Sequence, residues 1–159
     1  MPIPKNNVTR LLDQRKIEYV IFELPEEKLG ALQTAEMLAV PPEQVFKTIV
    51  AARLEQGKPI LAVIPGTTEV DLKLLAKAVG EKKVRLTTQG EAEDITGLQA
   101  GGISPLALIN RGFQTVIDAS AKIFDEIHIS GGQRGLNIRL PLKDLAKLTN
   151  ARFAPIGKE

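Results

Sequence analysis

Val45-Phe46-Lys47-Thr48-Ile49-Val50 sets a lysine inside a run of β-branched and aromatic residues. Side chains of that kind fit a pleated, half-buried surface, so the run predicts a strand, and strands of this composition are usually core strands. An ammonium group is costly to remove from water, so Lys47 must reach a cleft, meet an anion or lose its charge. Alternation puts Val45, Lys47, Ile49 and Ala51 on one face and Phe46, Thr48 and Val50 on the other. Two readings of the lysine stay open. In one, its stem packs on the core and its amine snorkels to water. In the other, the ammonium is held in a pocket that binds a phosphate, a carboxylate or a ribose hydroxyl.

Upstream of this strand, Asn7 to Lys16 places Val8, Leu11 and Leu12 on one face and predicts an amphipathic helix. Tyr19-Val20-Ile21-Phe22 predicts a strand ending near Pro25, Thr34 the capped start of a short helix, and Pro41-Pro42-Glu43-Gln44 a helical turn. Downstream, Glu55-Gln56-Gly57-Lys58 reads as a hairpin turn into a strand at Ile60–Ile64. Asp71 caps a helix through Val79, with Gly80 as its stop. Val84–Leu86 reads as a short strand and Glu91–Ile95 as a helical turn. Leu106–Ile109 and Gln114–Ile117 read as strands joined at Asn110-Arg111-Gly112, with further strands at Glu126–Ile129 and Leu136–Leu140. A helix from Leu142 to Leu148 follows. Strands outnumber helices and tight turns link several of them. The expectation is an α+β fold: a single compact domain over residues 1–159, a mixed and largely antiparallel sheet with peripheral helices.

Composition narrows the chemistry. The 159 residues, 43% apolar and 25% charged, match an ordinary globular protein long enough to bury roughly two-thirds of its unfolded surface. The absence of cysteine excludes a disulfide framework and a protein thiolate, whether nucleophile or metal ligand. With His128 the only histidine, there is no catalytic His pair, no His-rich zinc site and no HExxH motif; the expectation is no metal and no cofactor. No apolar run approaches the roughly 20 residues of a membrane span, and Met1-Pro2-Ile3-Pro4-Lys5 lacks the apolar core of a signal peptide, so a cytoplasmic protein is expected. Net charge is only +2, but Lys73, Lys77, Lys82, Lys83 and Arg85 lie close together, as a phosphate-binding patch or a solvated helix face would. Aromatic residues are too scarce for base-stacking platforms.

Two glycine-rich segments add to the lysine. Gly101-Gly102-Ile103-Ser104-Pro105 lets a backbone approach a ligand and aim its N–H groups, as the oxyanion of acyl transfer requires, or makes an ordinary turn. Ser130-Gly131-Gly132-Gln133-Arg134-Gly135 permits an anion-binding nest with Arg134 as a planar cation, or a plain hairpin loop. It has neither Walker nor GxGxxG spacing. His128 suits a structural role. Ser104, Ser120 and Ser130 have no signalled base, and Asp94, Asp118 and Asp125 fit no metal loop.

Val45-Phe46-Lys47-Thr48, Leu72–Gly80, the two glycine segments through Leu136, and Asp144-Leu145-Ala146-Lys147-Leu148, in this order, resemble the YbaK/EbsC family of aminoacyl-tRNA deacylases. The same fold occurs as the editing insertion domain of bacterial prolyl-tRNA synthetase. The resemblance covers essentially the whole chain. It implies a trans-editing enzyme that hydrolyses the ester of a wrong amino acid on tRNA(Pro), cysteine first and alanine next. It implies Lys47, Gly101 and Gly102 as catalytic residues, and Ile103, Ser104, Pro105, Ser130, Gly131, Gly132, Arg134 and Asn137 around the substrate. Aminoacylated tRNA is then the partner, and a complex with prolyl-tRNA synthetase stays open. For a cysteinyl substrate the implied nucleophile is the substrate's own thiol, and for an alanyl substrate a water held near the terminal ribose.

The chain departs from the family at two places. Members known for Cys-tRNA(Pro) commonly carry a His/Tyr-bearing stretch after the first strand, where this chain reads Phe22-Glu23-Leu24-Pro25-Glu26-Glu27. Asn137 stands at a position that is often acidic. Both bear on amino-acid selectivity. Two other functions are compatible with the sequence: a non-catalytic module that binds a charged tRNA end or a partner, and a small-molecule ester hydrolase.

Overall fold

The computed structural model describes residues 6–25 and 30–158, so Glu26 and Glu27 of the divergent stretch lie outside the described residues. The elements run α1 (Asn7–Gln14), β1 (Val20–Glu23), α2 (Ala31–Leu38), β2 (Phe46–Arg53), β3 (Ile60–Pro65), α3 (Leu72–Ala78), β4 (Val84–Leu86), α4 (Gln89–Thr96), β5 (Gln114–Asp118), β6 (Glu126–Ser130), β7 (Leu136–Pro141), α5 (Leu142–Thr149) and β8 (Arg152–Ala154). The α+β class holds, but the strands divide between two sheets. One has the order β4-β2-β3-β5-β8 and the other β1-β7-β6. The smaller sheet is wholly antiparallel. The larger is antiparallel from β4 to β3 and parallel from β3 to β8.

The parallel half follows from chain connectivity. Parallel neighbours need a crossover of a dozen residues or more, and α3, β4 and α4 supply it between β3 and β5. Strand β3 is buried along its whole length, as expected of a strand covered on both faces. Ile60, Ala62 and Ile64 pack with Leu75 and Ala76 of α3, while Val63 joins Phe46, Ile127, Ile129 and Ile138 between the sheets. Ile49 and Ala51 share the α3 side with Ile64, the cross-strand partner of Lys47, so the predicted alternation of β2 is the observed one.

Three local expectations differ from the structure. Helix α2 begins at Ala31 after Gly30, and Thr34 sits inside it, its hydroxyl donating to the Gly30 carbonyl at 3.0 Å. Leu106–Ile109 is not a strand: Pro105–Leu108 is a 3-10 turn, with Ser104 Oγ accepting from Leu106 N–H at 3.2 Å. A Ser cap followed by Pro at the first helical position prevails there over an apolar run too short to define a strand. Strand β8 was not expected. Its three residues carry little signal of their own, and it forms by pairing with β5. Elsewhere the caps work as read: Asp71 accepts from Leu74 N–H at 3.0 Å and Gly80 takes φ +73°.

The end of β5 fixes the C-terminal segment. The Asp118 carboxylate, only 7% exposed, accepts from Ile156 N–H at 2.9 Å, Gly157 N–H at 3.1 Å, and both the N–H and the hydroxyl of Ser120. Removing an acceptor that serves several amides leaves buried donors unpaired, at roughly 1–3 kcal/mol. Asp118→Ala should therefore lower unfolding free energy in urea by at least about 2 kcal/mol. A loss below about 0.5 kcal/mol would show that water replaces the carboxylate freely.

Candidate active site

Val45 to Val50 line, one after another, a cavity of about 480 Å³. Successive side chains of a strand point to opposite faces, so a cavity touched by six consecutive residues lies against the strand's edge. Strand β4 covers that edge only at Ala51–Arg53, and Thr87 extends the cover to the Val50 carbonyl. Beyond that point the chain turns away into α4, whose start is fixed by a Thr88–Glu91 capping box. The Arg85 guanidinium and the Thr88 N–H on the Glu91 carboxylate hold its pKa down to about 2. The opposite wall comes from the two glycine segments and from Asn137, and Leu24, Pro25 and Thr34 close one side.

The structure brings the two glycine segments into contact. The Ala100 carbonyl accepts from Arg134 Nε at 2.6 Å, and the Ala100 N–H donates to Glu93 at 2.9 Å. Gly101 then turns at φ +87°, and Gly102 lies so close to the second loop that a Cβ there would sit 2.9 Å from Gln133 Cα. Gly102 N–H is spent on the Gln99 carbonyl at 2.8 Å. Among the described residues, the N–H groups of Gly101 and Ile103 have no protein acceptor. These are the donors the loop leaves available.

Of the residues expected around the substrate, Lys47, Gly101, Ile103, Ser130, Arg134 and Asn137 line the cavity. Gly102, Ser104, Pro105, Gly131 and Gly132 do not, each for a packing reason. Ser104 is fully buried as the cap of the 3-10 turn, which Pro105 opens. Gly131 makes room for Leu136, and Gly132 abuts Val8 of α1. These five shape the loops rather than the cavity surface. The expectation missed Thr87, Thr88 and Gln89, although the Thr-x-x-Glu of a capping box marks the start of α4 in the sequence.

Lys47 is half-buried, and among the described residues it has no ion-pair partner. It also borders a second hollow of about 570 Å³, on the α3 side of the sheet, with Lys73 and Lys158. The lysine therefore borders both hollows. Arg134, by contrast, has part of its donor set committed to Ala100.

Asn137 joins the cavity to the only histidine. Its Oδ1 lies 2.8 Å from Nδ1 of His128, which is fully buried. The amide oxygen can only accept, so Nδ1 carries the proton; Nε2 is buried without a partner. Burial is the main cause that pushes His128 below its ordinary pKa of 6.5, with Arg139 adding to the effect. The Phe22 ring packs with its centroid 5.4 Å from that of the imidazole, and the Arg139 guanidinium lies over the Phe22 ring, 5.7 Å from its centroid. A neutral, buried histidine of this kind orients Asn137 and is not a base facing the cavity.

Residues 26–148 match the family model of the aminoacyl-tRNA editing domain. The chain belongs to that family. The chain is 38% identical over 154 residues to an Enterococcus faecalis (strain ATCC 700802 / V583) protein named "Putative Cys-tRNA(Pro)/Cys-tRNA(Cys) deacylase EbsC", covering 96% of this chain and 93% of that one. Two solved structures share the fold. A hypothetical protein superposes with a TM-score of 0.87 at 22% identity, over 96% of this chain and 100% of the other. A structure described as "a putative trans-editing enzyme for prolyl tRNA synthetase" superposes with a TM-score of 0.81 at 23% identity, over 99% and 100%. The likeness to the YbaK/EbsC proteins visible in the sequence is thus a true family membership.

Two outcomes follow for this editing domain. A His128 whose folded pKa is depressed binds fewer protons than the unfolded chain, so its contribution to stability is present above the ordinary pKa of 6.5 and is lost as pH falls below it. His128→Gln should flatten the fall in urea midpoint between pH 7.5 and pH 5.5; equal slopes for both proteins would show that His128 is not responsible. Gly102→Ala drives a methyl group into the Gln133 backbone and should destabilise the domain by about 1–3 kcal/mol, read by thermal unfolding. An unchanged midpoint would mean that the two loops separate without penalty.

Proposed function

We propose that this chain hydrolyses the ester bond of aminoacyl-tRNA mischarged on tRNA(Pro), with cysteinyl-tRNA(Pro) the first substrate and alanyl-tRNA(Pro) the second. The observation that carries the reading is an ammonium, Lys47, with no ion-pair partner among the described residues, lining the same cavity as Gly101 and Ile103, whose N–H groups have no acceptor among the described residues. The name of the Enterococcus relative supports cysteine and adds Cys-tRNA(Cys) to the substrates worth testing. A cavity of about 480 Å³ is within the range that takes a small ligand, such as an amino acid with its terminal nucleoside.

In this reading Lys47 neutralises the phosphate or holds the ribose at the 3′ end of the tRNA, with the hollow beside Lys73 and Lys158 taking the preceding backbone. The loop amides receive the negative charge that builds on the ester oxygen, a form of stabilisation in which one donor is worth roughly 10²–10³-fold in rate. The chain contains no thiol. A cysteinyl substrate supplies its own: the sulfur attacks the ester carbonyl, the C–O bond to ribose breaks, and the ribose oxygen leaves with the thiol proton. The products are free tRNA and a thiolactone, which water opens to cysteine. An alanyl substrate instead needs a water held beside the terminal ribose. Such a protein would act in the cytoplasm, in trans, beside prolyl-tRNA synthetase.

The test is a deacylation panel of Cys-tRNA(Pro), Ala-tRNA(Pro), Cys-tRNA(Cys), Ser-tRNA and Pro-tRNA(Pro). Wild-type protein should clear the first two and spare the last. Lys47→Ala should lower kcat/KM by about 10²-fold with its melting temperature within about 2 °C of wild type. Raising salt from 50 to 200 mM should raise KM, because phosphate contacts release counterions. Failure to clear any charged tRNA, or binding without turnover, would overturn the reading in favour of a non-catalytic module.

A further inference from the structure

The cavity contains a short unpaired stretch of sheet edge centred on Thr48. The Val45 carbonyl points to the β3 side, where it accepts from Gly66 N–H at 2.8 Å. The Val50 carbonyl points the other way and accepts from Thr87 N–H at 3.2 Å and the Thr87 hydroxyl at 3.0 Å. Both main-chain groups of a strand residue face one side, and the side alternates along the chain. Thr48 therefore turns its N–H and C=O outward, as Val50 does.

Among the described residues, no strand or loop pairs with Thr48 on that outward side. Neighbours stop just short of it at both ends. Thr87 closes the ladder at Val50, and the bridge from Val45 to His128 closes the edge at the start of β2. Thr48 itself lines the cavity. A donor and an acceptor of the main chain thus stand side by side, unpaired, in the space that the proposed substrate occupies.

We infer that this gap recognises the aminoacyl group through its own main-chain atoms, as a one-residue β-bridge. An aminoacyl ester carries an amine and a carbonyl oxygen flanking one Cα, the same pair that a strand residue offers to a neighbour. The Thr48 carbonyl accepts from the α-ammonium, and the Thr48 N–H donates to one lone pair of the ester carbonyl oxygen, whose other lone pair is left to the loop amides. The ammonium makes the first of these a charge-assisted bond, the stronger kind. Extended peptides bind sheet edges in this way over many residues. Here Thr87 and the His128 bridge bound the gap at its two ends, which suits a single amino acid better than an extended peptide. The contact is blind to the identity of the side chain but fixes the direction in which Cβ projects, so it selects for the L form. This inference rests on the proposed deacylase reading for its substrate class.

The test separates the two. The probe is adenosine carrying L-alanine in amide linkage at the 3′ position, which cannot be hydrolysed as an ester, with its N-acetyl and D-alanyl counterparts. Calorimetry should show the N-acetyl and D-alanyl forms binding at least about tenfold more weakly. The ¹⁵N–¹H resonance of Thr48 should shift with the L-alanyl form alone. Thr48→Pro removes an N–H that the β2–β3 ladder does not use, and proline is tolerated at such edges. It should lower kcat/KM on alanyl-tRNA at least about tenfold while the circular dichroism is retained. Should that variant unfold, the calorimetric and resonance arms decide alone. Equal binding of free-amine and N-acetyl probes, a Thr48 resonance unmoved at saturation, or no binding at millimolar probe would overturn the inference. Amine-dependent binding by a protein that deacylates nothing would overturn the enzymatic reading and leave this one standing.

Discussion

Among the described residues the main chains of the two sheets are bridged at Val45 and His128, and the cavity opens where they separate from there. On the inner side of that seam Phe46, Val63, Ile127, Ile129 and Ile138 form a closed apolar contact. Gln44 reinforces it, its side-chain amide donating to the Glu126 carbonyl at 2.9 Å. Beyond the seam β2 continues along β3 while β6 runs into the second glycine loop. The wedge between them cannot be filled by another strand, since β4 reaches only as far as Ala51. A sheet edge left open inside a folded protein exposes polar main-chain groups that need partners. The same geometry that makes the cavity thus makes its chemistry.

The wall opposite β2 depends on a clamp rather than on a regular element. Ala100 is gripped at both ends, by Glu93 and by Arg134, and Gly102 rests on the Gln133 backbone. Asn6 ties the second loop to the start of α1 by donating to the Gly131 carbonyl at 2.8 Å. Each loop would be short and open alone. Held against each other, they form the wall of the cavity opposite β2, and in the proposed reaction their free amides would be preorganised donors.

Much of this was legible in the sequence because the signals were local. The alternation in Val45–Val50, the Asp71 cap and the Gly80 stop each act within a few residues, and each appears where its pattern placed it. The division into two sheets was not legible, because strand order is decided by which long connections cross over, and periodicity does not record that. Leu106–Ile109 misled because a short apolar run has no period of its own, and the Ser104-Pro105 pair decided its conformation. At the cavity, both glycine loops named from the sequence supply lining residues, but not every residue named in them lines it. Ser104 and Gly131 look identical in kind to Ser130 and Gly101 until packing shows which are turned inward.

That distinction bears on the two departures from the family pattern. The groups assigned to the ester in the reading developed above are main-chain N–H and C=O groups of Thr48, Gly101 and Ile103 and one ammonium, and neither the described Phe22–Pro25 segment nor Asn137 is among them. Asn137 lines the cavity with its oxygen fixed by His128, and its amide nitrogen has no acceptor among the described residues. An acid at this position would bring a negative charge to the wall and demand a proton or a cation from a histidine that burial keeps neutral. An amide meets the same imidazole without that demand and turns a donor, instead of a carboxylate, toward the ligand. In the proposed reading the substitution changes the side-chain preference of this wall and leaves the main-chain groups assigned to the ester untouched.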